Sequence, residues 1–278
     1  MKKEKNPKSN LKSTPVKAKK KFGQCFLSDS NISKKIIDIS NPSKEIIAIE
    51  VGPGLGAITK YMLEAYKKVI AFEIDNDVVE PLLKATKDKG ELDLRMVDIL
   101  KADLSFLNNI EEEIVSISNL PYYITSPIIS KFLNEAPKIN RMYFMVQKEM
   151  AERLSAKVST KDYNAFSIMV QYYADVRIVL NVPRTCFTPS PNVDSAVVEI
   201  KRINRTQKPQ NEELFKNTVS QSFKERRKTL INNLSSFLNK EKLKFVFEEL
   251  GFDENIRAEN LSIDDFIALS DKLGDHYA

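Results

Sequence analysis

Asn119-Leu120-Pro121-Tyr122 combines residue types that suit an amine nucleophile attached to a planar ring. The N6 lone pair of an adenine is delocalised into its ring, so this nitrogen attacks poorly. An amide oxygen on Asn119 and the main-chain carbonyl of Leu120 can accept its two N–H bonds. That favours a pyramidal nitrogen and stabilises the positive charge that develops during attack. Pro121 fixes the turn. Tyr122 offers a face on which a flipped base stacks, worth about 1–3 kcal/mol per base.

A second cluster lies upstream. "IEVGPGLGAIT", residues 49–59, places glycines at 52, 54 and 56 directly after an apolar run. A backbone without side chains lets a phosphate, a dinucleotide or a methyl donor lie against it. No Gly-Lys-Ser/Thr follows, which excludes a P-loop. The dinucleotide pattern G-x-G-x-x-G is also disfavoured: the third glycine comes one residue early, and only Ala57 is left for the last position. Glu73, 21 residues after Gly52, closes the next apolar run and suits the two hydroxyls of a ribose. Asp98 closes the following one, "LRMVDIL", and suits an adenine amino group as donor.

These residues need a scaffold that sets strand ends side by side. Apolar runs at Glu45–Val51, Lys68–Glu73, Asp93–Val97, Glu113–Ser118 and Asn140–Val146 alternate with amphipathic stretches at Leu55–Tyr66, Asn76–Lys87, Ser126–Asn134 and Gln147–Ala156. The stretch Asn164–Ala174 is amphipathic too. Such alternation predicts an α/β fold with a parallel sheet covered on both faces. Two more runs, Asp175–Val182 and Val193–Arg202, have only the loop "PRTCFTPSPN" between them, which predicts a hairpin-like antiparallel edge. After about residue 205 the pattern turns helical, at 211–223, 226–238, 241–250 and 262–273. Gly251 is placed as a helix C-cap, and Ser262 as an N-cap with Asp265 three residues on.

Composition narrows the chemistry. The 278 residues are 42% apolar, enough for one sizeable core and a smaller second domain. No 18-residue apolar run exists, so no membrane helix is expected. The Lys-rich start lacks an apolar stretch behind it, so a signal peptide is not expected either. Cys25 and Cys186 have no metal-ligand spacing and fit a cytosolic chain with free thiols. His276 is the single histidine, third from the end, which argues against Ser-His-Asp, Cys-His and His-bearing zinc chemistry. Residues 1–21 hold nine lysines against Glu4, a balance of +8 that leaves −3 for the other 257 residues of a chain with net charge +5. Such a segment is predicted to be a disordered basic tail. It reads as a solubilising terminus or as an arm that binds a polyanion.

With these residues placed, the chain resembles the small-subunit ribosomal RNA adenine N6-dimethyltransferase family (KsgA type) over roughly residues 21–273. The landmarks are "FGQCFL", "EVGPGLGAIT", "FEID", "VDIL", "SNLPYYITSPII", "MVQKEMAERL", "YNAFSIMVQYYADV", "FTPSPNVDSAVV" and "FKERRKTLINNL". The resemblance implies a Rossmann-like class I S-adenosylmethionine-dependent methyltransferase sheet of about seven strands, with a small C-terminal all-α domain. Residues 22–205 would form the methyltransferase domain and 206–278 a helical domain that contacts RNA. It further implies S-adenosylmethionine as methyl donor, no metal, and N6,N6-dimethyladenosine at two adjacent adenosines near the 3′ end of small-subunit rRNA. The expected partner is that rRNA or an immature small ribosomal subunit, met in the cytoplasm by a monomer.

Carried over residue by residue, the family's cofactor contacts fall on Cys25, Leu27, Gly52, Gly54, Glu73, Asp98 and Asn119. The family often has Asn or His at position 25, so a cysteine there leaves a main-chain contact. Contacts to the target base fall on Asn119, Leu120, Tyr122 and, in the "FTPSP" loop, Phe187, whose flanking prolines predict an exposed stacking ring. The cluster Lys224–Lys228 would meet RNA. A related family shares the Gly loop and the Asn-Leu-Pro-Tyr form: the large-subunit rRNA adenine methyltransferases of the macrolide-resistance type. A non-catalytic RNA-binding factor on the same fold is the other alternative.

Overall fold

The computed structural model describes residues 25–276, so the basic tail lies outside the described residues. A short strand β1 (Phe26–Leu27) leads into helix α1 (Ser30–Ile39). Strand-helix alternation follows: β2 (Ile46–Val51), α2 (Thr59–Ala65), β3 (Lys68–Glu73), α3 (Val79–Thr86) and β4 (Glu91–Met96). Next come β5 (Glu113–Asn119), α4 (Thr125–Glu135), β6 (Ile139–Gln147), α5 (Lys148–Leu154) and α6 (Ala165–Tyr173). Then β7 (Ala174–Val182), β8 (Phe187–Thr188) and β9 (Ser195–Arg202) complete the strands. Four helices close the described residues: α7 (Glu212–Ser222), α8 (Leu230–Leu234), α9 (Lys240–Leu250) and α10 (Ile263–Asp275).

Seven strands form one sheet in the order β4-β3-β2-β5-β6-β9-β7. Pairing is parallel from β4 to β6, while β9 runs antiparallel to both β6 and β7. The antiparallel pair expected at the edge is present, but its later strand inserts inward and leaves β7 outermost. Every residue of β2 is buried, which explains its unbroken apolar run. One face packs on α4, α5 and part of α6, with Phe132 and Phe144 in contact. The other face packs on α1 and α2 through Ile36, Ile37, Met62 and Tyr66.

Helix α1 was not singled out in the sequence, yet its signals are present. The Asp29 carboxylate accepts from the Asn31 and Ile32 N–H groups. Helix α6 carries a capping box of Asn164 and Ser167, and α10 one of Ser262 and Asp265. Gly251 closes α9 in the left-handed region, at φ 70°. A third core joins the C-terminal helices through Phe215, Leu234, Phe247 and Phe266. Ile168 and Tyr172 of α6 belong to it, while Val170 of the same helix packs under the sheet. One helix therefore ties the two parts of the molecule together.

Two helices differ from expectation. The pattern from 226 to 238 predicts one continuous helix, but only α8 forms. The buried Asn233 explains this: its amide donates to the Ser222 and Glu225 carbonyls and accepts from the Glu225 N–H, closing residues 223–229 into a tight junction. The helix expected from Leu55 starts at Thr59, because the glycine segment remains a loop. Gly56 lies at φ 79°, and a Cβ there would stand 3.0 Å from Leu82 Cδ1 of α3. Gly56 thus serves helix packing. Gly56→Ala is expected to lower stability by about 1–3 kcal/mol, read as a lower urea midpoint; an unchanged midpoint would show the loop relaxes freely.

Candidate active site

The C-terminal ends of β2, β3, β4 and β5 open onto one pocket, the place where open α/β sheets bind ligands. Its lining brings together Cys25, Leu27, Gly52, Gly54, Glu73, Asp98, Asn119, Leu120 and Tyr122, all expected from the sequence. Gly56 does not line it, and neither does Phe187.

At the end of β5, the Asn119 Nδ2 donates to the Cys25 carbonyl at 3.4 Å. A carbonyl can only accept, so this contact fixes which end of the amide carries nitrogen. Asn119 Oδ1 is then left buried in the pocket wall without a hydrogen-bond partner. A buried unsatisfied acceptor costs about 1–3 kcal/mol, and a donor from a ligand would satisfy it. The next residue is pinned as well: the Leu120 N–H donates to the Met145 carbonyl at 3.0 Å.

Glu73 closes β3 and is buried. One of its oxygens accepts from the Ile74 and Asp75 N–H groups at 2.8 and 2.9 Å. The other accepts from the Gly54 N–H at 3.2 Å. This carboxylate therefore holds the glycine loop against the strand end. Gly52, at φ 66° and with its N–H on the Phe72 carbonyl, has nothing within 4 Å of where a Cβ would stand. The loop backbone is open to the pocket there. Asp98, just beyond β4, accepts from the Leu100 N–H through one oxygen. Exposed Ile74 and Val97 stand beside the two acids.

Tyr122 begins the short turn after β5, and its hydroxyl pairs with Ser195 Oγ at 2.8 Å. Burial pushes its pKa above the usual tyrosine value. The expectation of an exposed Phe187 is corrected: its ring is 3% exposed and belongs to the core on the α1 and α2 face of the sheet. The cause is a two-residue ladder in which Phe187 pairs with Leu27 and Thr188 with Phe26, extended by the Ser28 N–H on the Cys186 carbonyl. The proline-rich loop is folded back onto β1.

Sequence reasoning missed Glu50. It sits within β2 as the one acid of "IIAIEV", which was the available signal. It is 2% exposed, lines the pocket, and leaves its Oε2 without a partner. Burial, reinforced by the nearby Glu73 charge, pushes its pKa up to about 8. A raised folded value means that the folded chain holds the proton more tightly than the unfolded one. The resulting stability is complete below the unfolded value of 4.5 and is lost as pH rises to about 8. The ligand-free protein is expected to lose on the order of 3–5 kcal/mol across that window. Glu50→Gln should abolish this slope in urea titrations at a series of pH values; parallel pH profiles would contradict it.

S-adenosylmethionine fits these groups. A pair of strand-end carboxyls, an open glycine backbone and the orphaned Asn119 Oδ1 offer acceptors to its hydroxyls and amines, and the apolar side chains of Ile74, Val97 and Ile99 line the same pocket.

A sequence model described as ribosomal RNA adenine dimethylase matches residues 16–275. Ribosomal RNA small subunit methyltransferase A of Geobacillus kaustophilus is 44% identical over 267 residues, covering 92% of this chain and 90% of its own. The protein of the same name from Bacillus cereus strain AH187 is 43% identical over 265 residues, covering 92% and 91%. The crystal structure of a dimethyladenosine transferase from Plasmodium falciparum superposes with a TM-score of 0.74 at 27% identity, over 88% of this chain and 95% of its own. The 23S rRNA methyltransferase ErmE, 21% identical with a TM-score of 0.67, shares the fold over 90% of this chain and 99% of its own. With the acceptors arrayed along the strand ends and the match running the length of the sheet and helices, this chain belongs to the ribosomal RNA adenine dimethylase family.

Proposed function

We propose that this chain transfers methyl groups from S-adenosylmethionine to the N6 amines of two adjacent adenosines near the 3′ end of small-subunit rRNA, giving N6,N6-dimethyladenosine. The observation that carries this reading is the buried, unpartnered Asn119 Oδ1. It is an acceptor fixed in place by the Cys25 carbonyl, beside the Leu120 main chain and the Tyr122 ring. Bound S-adenosylmethionine supplies a methyl group activated by its sulfonium.

The residues then divide the work. Glu73 accepts from a ribose hydroxyl at the remaining lone pair of the oxygen that holds Gly54, while its other oxygen holds the strand end. Asp98 accepts from the adenine amino group of the donor. Gly52 and Gly54 let the donor lie against the main chain, and Cys25 and Leu27 cover it. Asn119 Oδ1 and the Leu120 carbonyl accept the two N–H bonds of the target amine and keep its lone pair out of the ring. They bind more tightly as positive charge grows on nitrogen, so they act mainly in the transition state. A monomethylated amine still carries one N–H, so one acceptor holds it for the second transfer. Tyr122 supplies the stacking wall. Phe187, packed behind β1, takes no part in that wall as placed.

The helical part, residues 206–278, is the proposed RNA-contacting domain and 22–205 the methyltransferase domain. Lys224 and Arg227 are exposed at the junction between α7 and α8, whereas Arg226 donates to the Lys161 carbonyl. The enzyme is proposed to act as a cytoplasmic monomer on rRNA or an immature small subunit. Among the described residues, no helix is long and apolar enough to cross a membrane. The test is methyl transfer from labelled S-adenosylmethionine to small-subunit RNA, large-subunit RNA and immature small subunits, with the modified bases mapped by mass spectrometry. Dimethyladenosine confined to the small-subunit substrates is expected. Transfer to large-subunit RNA alone, or RNA binding without transfer, would overturn it.

A further inference from the structure

We propose that Ser195 is a positioning residue for methyl transfer: its hydroxyl tethers Tyr122 and so fixes the ring against which the target adenine stacks. This rests on the stacking reading of Tyr122 given above. Tyr122 stands in a three-residue turn, Tyr122–Ile124, that has no side-chain cap. Such a turn by itself leaves the direction of the ring to its surroundings, and any ordering left to the encounter with substrate costs entropy. The ring has a second anchor at its far end. The Tyr122 hydroxyl lies 2.8 Å from Ser195 Oγ, 73 residues away in sequence.

Ser195 is suited to hold it. It opens β9, is 0% exposed, and pairs with Val182 on one side and Gln147 on the other. The tether therefore runs to an interior strand of the sheet and not to a loop. It also brings the antiparallel insertion of β9 into the chemistry. That strand starts beside the end of β6, whose Met145 carbonyl accepts from the Leu120 N–H. Asn119 and Tyr122 are thus located by two separate contacts, one from Cys25 just before β1 and one from β9. A single hydrogen bond that only orients a group loses little binding and more rate, because misplacement is felt in the reacting geometry.

The experiment is a double-mutant cycle on the full chain with Ser195→Ala and Tyr122→Phe. Each variant removes one oxygen and leaves the packing volume nearly unchanged. Single-turnover methylation, S-adenosylmethionine affinity and RNA affinity are measured. So is the fluorescence of 2-aminopurine placed at the target adenosine, which stacking quenches. Each single variant is expected to slow methyl transfer roughly three- to tenfold with both affinities within about twofold of wild type. The double variant should be no slower than the slower single one, because both changes break the same contact. Quenching should weaken in all three. Additive rate losses, or a Ser195→Ala protein with wild-type rate and quenching, would overturn the proposal. A wild-type protein that leaves the reporter unquenched would overturn the stacking reading itself, and the tether with it.

Discussion

Asn119→Ala is expected to lower methyl-transfer turnover by roughly 10²–10³-fold, the cost of removing one preorganised electrostatic contact to the charge that forms in a transition state. Affinity for RNA should stay within about twofold of wild type, because that contact matters little in the ground state. The amide leaves two groups behind. The Cys25 carbonyl loses its donor, and the target amine loses its side-chain acceptor. Stability should stay near level, since the removal of a buried acceptor without a partner offsets the donor taken from the Cys25 carbonyl. That combination of lost rate and kept stability is diagnostic. Quench-flow measurement of one turnover, with urea unfolding alongside, reads both. A variant within about twofold of wild-type rate, roughly 0.4 kcal/mol, would remove Asn119 from the chemistry.

Glu73→Ala is expected to weaken S-adenosylmethionine binding at least tenfold, since hydrogen bonds to a charged group are worth about 1.5–3 kcal/mol each. The structure adds a second loss. The carboxylate also accepts from the N–H groups of Gly54, Ile74 and Asp75, so its removal frees the glycine loop and leaves these donors without their partner. A lower unfolding temperature should accompany the weaker binding. Glu73→Gln separates the two effects: its remaining oxygen can still take part of the loop contacts without the charge. Calorimetry giving wild-type affinity for a folded Glu73→Ala protein would place the ribose elsewhere.

Local pattern made most of this site legible. Glu73, Asp98 and Asn119 stand at the ends of apolar runs, and a parallel sheet sets successive strand ends side by side. What escaped was non-local. Strands β1 and β8 are two residues each, too short for any periodicity, and pair across more than 150 positions. Without that ladder, prolines around Phe187 read as exposure, whereas the ladder buries the ring. Ser195 looks like an ordinary strand residue until β9 is seen to insert beside β6. Glu50 was hidden for another reason. An acid in an otherwise apolar strand looks like a break in pattern, and only burial on both faces reveals it as a proton-holding group in the pocket.

The hold on Asn119 comes from a main-chain carbonyl, a group that all twenty residues share. Side chains at position 25 can therefore drift through generations while that restraint persists, provided the chain keeps its path. The path is secured by the short ladder between β1 and β8, a feature with no signature in the identity of residue 25. A comparison of side chains alone would score the cysteine as a lost ligand. Inherited defects in how the amide is aimed should instead trace to changes that loosen the ladder, such as substitutions at Leu27 or Phe187, far along the chain from one another and neither of them polar.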